Sequence, residues 1–115
     1  MSEFQSKFDK AIWGVVSRIK LGRVMSYGRV ARAAGFPRHS RMVSKAMSRS
    51  VEPLPWYRVI KSDNTLAFKV GGEAYNKQRA LLEKEGVRFL GKKVVPIEPD
   101  ESTGLDELLW GPAEN

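Results

Sequence analysis

The sequence predicts a mainly α-helical domain with a small β element, arranged as a winged helix-turn-helix. Three observations carry that expectation. Apolar residues recur at helical spacing over residues 2–21. Two short helical patterns then flank a tight turn at Gly35-Phe36-Pro37, and two β-prone stretches separated by Ser62-Asp63-Asn64 follow them. With 115 residues and 42% hydrophobic content, the chain can build one core and is too short for two domains.

The first pattern, Ser2 to Leu21, sets Phe4, Phe8, Ile12, Val15, Val16 and Ile19 on one stripe, with a capping-box pair Ser2 and Gln5 at its start and Gly22 as its stop. The second begins at Ser26, whose hydroxyl can cap YGRVARAA, and stops at Gly35. The third runs through RHSRMVSKAMSR, Arg38 to Arg49, with Pro37 where a missing N–H costs nothing. Two short helices joined by a glycine-containing turn outline a helix-turn-helix. On the third helix Val43, Ala46 and Met47 gather on one side and Arg38, Arg41, Lys45 and Arg49 on the other. Ser44 and Ser48 lie near the basic side and are small enough to let the helix approach a surface closely. Such a face is either solvated or turned to a polyanion, and the absence of any acid over residues 38–49 favours nucleic acid.

The stretch PLPWYRVIKS, Pro53 to Ser62, is a proline-framed corner that carries Trp56 and Tyr57 and leads through Arg58 into Val59-Ile60. Arg58–Lys61 and Thr65–Val70 are predicted as the strands of a small hairpin resembling a wing, closed by Gly71-Gly72. Glu73 to Glu85 reads as a helix with Ala74, Lys77, Ala80, Leu81 and Leu82 on or near its inward face, ending at Gly86. GVRFLGKKVVPI is predicted as a strand and loop. Leu105, Leu108, Leu109 and Trp110 suggest a short amphipathic helix near the end. The organisation that follows is a domain over residues 1–93 and an acidic extension over 94–115, partly docked on the same domain.

Composition removes several chemistries. The chain has no cysteine and one histidine, His39, so it offers no disulfide, no thiolate nucleophile, no zinc-finger pattern and no histidine metal cluster. No cofactor and no metal are expected. No stretch reaches the apolar length of a membrane span, and MSEFQSKFDK lacks the features of a signal peptide, which sets a cytoplasmic protein with no membrane partner as the expectation. Residues 1–61 hold 13 Lys or Arg against Glu3, Asp9 and Glu52, whereas residues 62–115 hold 7 against 10 acids. A basic first half suits a phosphate-bearing partner, although basic charge alone is equally a property of many small proteins.

The order MSYGRVARAAG, PRHSRMVSKAM, PWYRVI and QRALLEKEGV resembles the DNA-binding domain of the O6-alkylguanine-DNA alkyltransferases over residues 4–90. Those enzymes carry a Pro-Cys-His-Arg signature whose cysteine accepts the alkyl group. Here the frame reads Pro55-Trp56-Tyr57-Arg58, the mark of the alkyltransferase-like proteins, which lack the acceptor thiol. The resemblance implies a winged helix-turn-helix-like fold of the alkyltransferase family and a set of roles. Tyr27 crowds the phosphate of the target nucleotide, and Arg41 enters through the minor groove to fill the gap. Trp56 and Tyr57 meet the extruded base. The basic face itself, rather than the resemblance, adds Arg38, Ser44 and Lys45 as DNA contacts beside Arg41; by alignment Lys69 touches a phosphate from a closing loop, and Arg58 is either a further contact or a support bonding carbonyls beneath the corner. Glu85 sits where the enzymes complete a histidine relay that Tyr57 leaves without purpose, which marks it as structural here.

The residues themselves reach the same view of the chemistry. Dealkylation needs a soft, basic nucleophile, and no thiolate exists in the chain. Trp56 is therefore a wall for a base or, on generic grounds, a core aromatic. The resemblance implies a monomer that binds double-stranded DNA containing O6-alkylguanine, flips the nucleotide without repairing it, and marks it for nucleotide excision repair proteins. A winged-helix transcription regulator reading undamaged sequence is the rival expectation, and an enzyme acting on the flipped base a third.

Overall fold

The computed structural model describes residues 2–95. The expected C-terminal helix at Leu105–Trp110, and all but the first two residues of the acidic extension, lie outside the described residues. Four helices and two small two-stranded sheets make the body: α1 (Glu3–Ser17), β1 (Met25–Ser26), α2 (Tyr27–Ala33), α3 (Val43–Ser48), β2 (Val59–Ile60), α4 (Glu73–Lys84), β3 (Phe89–Leu90) and β4 (Lys93–Val94). Single 3-10 turns at Ser40–Met42 and Trp56–Arg58 lead into α3 and β2.

The helix ends follow the local chemistry that the sequence announces. Ser2 accepts from the Gln5 N–H at 3.0 Å and Ser26 from the Arg29 N–H at 3.1 Å, each satisfying a donor with no helical partner. At the end of α2 the Phe36 N–H reaches back to the Ala31 carbonyl and the Gly35 N–H to Arg32, with Gly35 at φ +92°, a Schellman stop that a side chain at this position would strain. Helix α4 ends in the same way at Gly86.

Two cores result. The first joins Phe8, Ile12, Val16 and Ile19 of the N-terminal segment to Val30 and Ala31 of α2, Val43 and Ala46 of α3, and Met25 and Val59 of the first sheet. The second gathers Ile60, Leu66, Tyr75, Leu82, Val87 and Val94. Each fully buried side chain of this size contributes about 1.5–3 kcal/mol through surface removed from water. Val59 and Ile60 are consecutive and both buried, so β2 is a strand apolar on both faces.

That double burial explains the main departure from expectation. Instead of forming a hairpin with Thr65–Val70, β2 lies parallel to β1, Met25 opposite Val59 and Ser26 opposite Ile60. The turn itself exists, with Lys61 N–H bonded to the Thr65 carbonyl at 2.9 Å and Asn64 at φ +70°, but Thr65 then bridges Lys93 and only Leu66 of the expected second strand is buried. The antiparallel hairpin lies later, β3 against β4 around Gly91, within the segment read as a strand and loop.

Three element limits also shift. Helix α1 stops at Ser17, and Ile19 is buried from a turn after it. The third helix keeps α geometry over Val43–Ser48 alone, and Pro37 and Arg38 precede it in a turn. In α4 the inward residues are Tyr75, Gln78 and Leu82, while Ala74, Lys77 and Ala80 are exposed. Among the described residues no helix is long and apolar enough to cross a membrane.

Candidate nucleic-acid interface

The candidate interface starts with α2. Tyr27 is its first residue, half-buried, and burial pushes its phenol above the ordinary value, so it is a neutral hydrogen-bond donor at physiological pH. Across the turn, Arg41 sits in the middle of the 3-10 turn that precedes α3. Arg38, Arg41, Ser44 and Lys45 are all exposed, and none of the three cations has a side-chain partner among the described residues. Three unopposed cations therefore stand on the solvent side of the short helix, with Val43 and Ala46 buried beneath them.

Arg49, the fourth member of the expected basic stripe, is used differently. Its Nε and Nη2 grip the two carboxylate oxygens of Asp9 at 2.7 and 2.8 Å, and Asp9 is 1% exposed. The fork geometry suits a bidentate carboxylate bond, and the pair fastens the end of α3 to α1. Trp13 adds a second tie, its indole N–H donating to the Ala46 carbonyl at 2.6 Å. Neither tie was anticipated from the sequence. Asp9 did carry a signal, since it continues the stripe through Ile12 and Val16, and a carboxylate on an apolar stripe needs a cation.

At the corner, the Pro55 carbonyl accepts from the Arg58 N–H at 3.0 Å and closes a 3-10 turn over Trp56, Tyr57 and Arg58. Trp56 is partly exposed and stands between two rings set almost at right angles to it, Tyr57 at 5.7 Å and Phe68 at 6.3 Å between centroids. Phe68 is 41% exposed on the loop before α4, an aromatic placed in solvent rather than in a core. Sequence reasoning passed over it as a strand residue. Lys69, beside it, is exposed, and the turn from Lys69 to Gly72 is closed by a backbone bond of 3.0 Å with Gly71 at φ +86°.

Beneath the corner is a saturated carboxylate. Glu85 accepts from Arg58 Nε at 3.0 Å and Nη2 at 2.6 Å, from the Tyr57 hydroxyl at 2.9 Å and from the Gly22 N–H at 3.0 Å. Arg58 Nη1 donates to the Ile19 carbonyl at 2.7 Å, so three of the guanidinium's donors hold the corner. Arg58 first, and then the other donors, hold Glu85 below the usual carboxylate range against the opposing effect of burial. Burial first, and then Glu85, push the Tyr57 phenol up. Gln78 of α4 fixes the same turn from the other side, donating to the Tyr57 and Val59 carbonyls at 2.9 and 3.2 Å.

Chemically, this arrangement presents a flat, partly exposed aromatic surface. Glu85 is ionised and occupied by donors, Tyr57 keeps its proton, and among the described residues no base is seen to adjoin the indole. Among the described residues no cluster of His, Cys, Asp or Glu can hold a metal ion.

Comparison with known proteins gives a consistent picture. The family described as 6-O-methylguanine DNA methyltransferase, DNA binding domain, matches residues 7–87. A protein of Vibrio parahaemolyticus called DNA base-flipping protein is 38% identical over 83 residues, covering 70% of this chain and 81% of its own. Alkyltransferase-like protein 1 of Schizosaccharomyces pombe is 31% identical over 115 residues, 97% of this chain and 98% of its own. The solved structure of S. pombe Atl1 in complex with damaged DNA containing O6-carboxymethylguanine superposes with a TM-score of 0.67 at 29% identity, over 93% of this chain and 97% of that one.

Proposed function

Because the chain belongs to the alkyltransferase-like family, built on the DNA-binding domain of the O6-methylguanine-DNA methyltransferases, we propose that it binds O6-alkylguanine in duplex DNA and rotates the damaged nucleotide out of the stack without transferring the alkyl group. The observation that carries this reading is the environment of Trp56. An indole stands where the enzymes' signature has its cysteine, lined by perpendicular rings and backed by a carboxylate whose donors hold it ionised below the usual carboxylate range.

The roles follow from position. Tyr27, at the start of α2, crowds the phosphate of the target nucleotide. Arg41 enters from the 3-10 turn and fills the space the nucleotide leaves, its planar fork pairing with the orphaned base. Flipping costs a few kcal/mol in stacking and pairing, less at a damaged pair, and an inserted side chain offsets part of that. Arg38, Ser44 and Lys45 meet the backbone beside it and Lys69 does so from the loop. Trp56 and Phe68 wall the extruded base, with the Tyr57 ring between them and Arg58. A bound, unrepaired lesion is a signal rather than a product, and this reading makes nucleotide excision repair proteins the recipients.

The test compares matched duplexes containing guanine or O6-methylguanine, with a fluorescent base analogue beside the lesion and the mass of protein and DNA measured after prolonged incubation. Tighter binding of the lesion, increased emission and unchanged masses are expected. Equal affinity for both duplexes without unstacking favours a sequence-reading regulator, and a methyl mass gained by the protein defeats the binding-only reading.

A further inference from the structure

Arg41 has no side-chain partner among the described residues, so its aim is set by the backbone of the 3-10 turn Ser40–Met42. That turn has no side-chain cap. Its N-cap residue, His39, supplies backbone bonds alone, its N–H donating to the Phe36 carbonyl and its carbonyl accepting from the Met42 N–H, each at 3.0 Å. The His39 ring is engaged elsewhere. Phe4, Phe8 and Phe36 surround it with centroids at 5.2, 5.9 and 5.9 Å, and those three rings stack or meet edge to face among themselves. Its Nδ1 is buried with no hydrogen-bond partner among the described residues. An imidazole held in this way acts as a flat apolar plate, and the ring contacts offset the cost of the unpaired nitrogen.

Phe4 and Phe8 belong to the first two turns of α1, so the cluster ties the start of that helix to the start of the turn that carries Arg41. Phe8 is fully buried in the first core, whereas Phe4 is 41% exposed and lies outside it. We propose that Phe4 and His39 are positioning residues for nucleotide flipping: their contact locks the Ser40–Met42 turn so that the Arg41 fork leaves the protein at the angle needed to enter the gap. This inference rests on the flipping reading above. Two contributions to binding then separate. Attraction of exposed cations to phosphate tolerates displacement, but a planar fork pairing with an orphaned base does not. A loosened turn loses more conformational freedom when Arg41 inserts, and that loss falls on the lesion complex.

The test compares Phe4→Ala, His39→Ala and His39→Phe on guanine and O6-methylguanine duplexes that carry the fluorescent base analogue, with Val87→Ala in the second core as a control for general loss of stability. Phe4→Ala and His39→Ala should each lower the preference for the lesion severalfold and reduce emission at saturating protein, while affinity for undamaged duplex and the salt slope stay as in wild type. His39→Phe keeps the plate and removes the unpaired nitrogen, so it should flip as wild type does. Val87→Ala should lower the unfolding midpoint and leave the preference intact. Full emission from either alanine variant overturns the proposal. So does lost emission in His39→Phe, which makes the imidazole a direct polar contact, and so does an equal loss in Val87→Ala, which reduces the effect to stability. Wild type that fails to unstack the lesion is a different failure, since it removes the flipping reading and this proposal with it.

Discussion

In the proposed reading Trp56 concentrates the recognition chemistry, and its substitution separates packing from binding. It is partly exposed and outside both cores, so Trp56→Ala should leave the fold standing while removing a stacking surface worth about 1–3 kcal/mol per base. Titration of lesion and undamaged duplexes should show the first weakened by tenfold or more and the second little changed. Phe68→Ala should reduce the same discrimination by a smaller factor, and an undiminished preference for the lesion would remove Phe68 from the site. Arg41→Ala and Arg41→Lys should both fail to raise the emission of the base analogue, because filling with a planar fork matters more than charge. At Glu85 the sign of the pH dependence is fixed. Its folded-state pKa lies below the unfolded one, so its contribution is present above the ordinary carboxylate value and is lost as pH falls through the folded value. Acid titration of thermal stability should therefore lose part of its low-pH slope in Glu85→Gln, which is also less stable at neutral pH. Trp56, Tyr57, Arg41 and Tyr27 entered the candidate site from motif order. Phe68 was not, because a single ring in a β-prone stretch looks like a strand residue until the strand fails to form.

Among the elements, α3 is too short to hold its own orientation. Six residues make few backbone bonds, and an isolated helix of that length is not stable in water. Its direction is imposed by the grip of Arg49 on Asp9 and by the Trp13 bond to Ala46. Arg49→Ala leaves Asp9 buried without a cation, so the midpoint of chemical denaturation should fall clearly, and by less than for a pair buried on both sides because Arg49 itself is partly exposed. By contrast Lys45→Ala should not change stability; it should weaken binding to damaged and undamaged DNA alike and reduce the slope of log affinity against log salt by about one. The reverse pattern would exchange the two roles. The sequence placed both residues on one basic stripe because helical angles cannot say which cation meets a buried acid from another helix. Helix identity and caps were legible, being local. The partner of β2 was not, since the choice between an adjacent strand and one at Met25–Ser26 is decided by burial on both faces.

For the molecule as a whole, the family fold could be recognised from four ordered motifs, while the division into two cores could not. That division depends on Val59 facing one core and Ile60 the other, an alternation spread over contacts far apart in the chain. The parallel pairing of β1 with β2 is thus a seam shared by both cores. Neither core can open fully without disturbing it, and no local fluctuation of the loops needs to. Measured by hydrogen exchange, the ladder amides of residues 25–26 and 59–60 should be among the slowest, exchanging only when the whole body unfolds, whereas those of residues 67–72 should exchange early. A two-residue ladder is ordinarily too small to outlast its surroundings. Here it should serve as the molecule's slowest clock, because its lifetime is that of both cores at once.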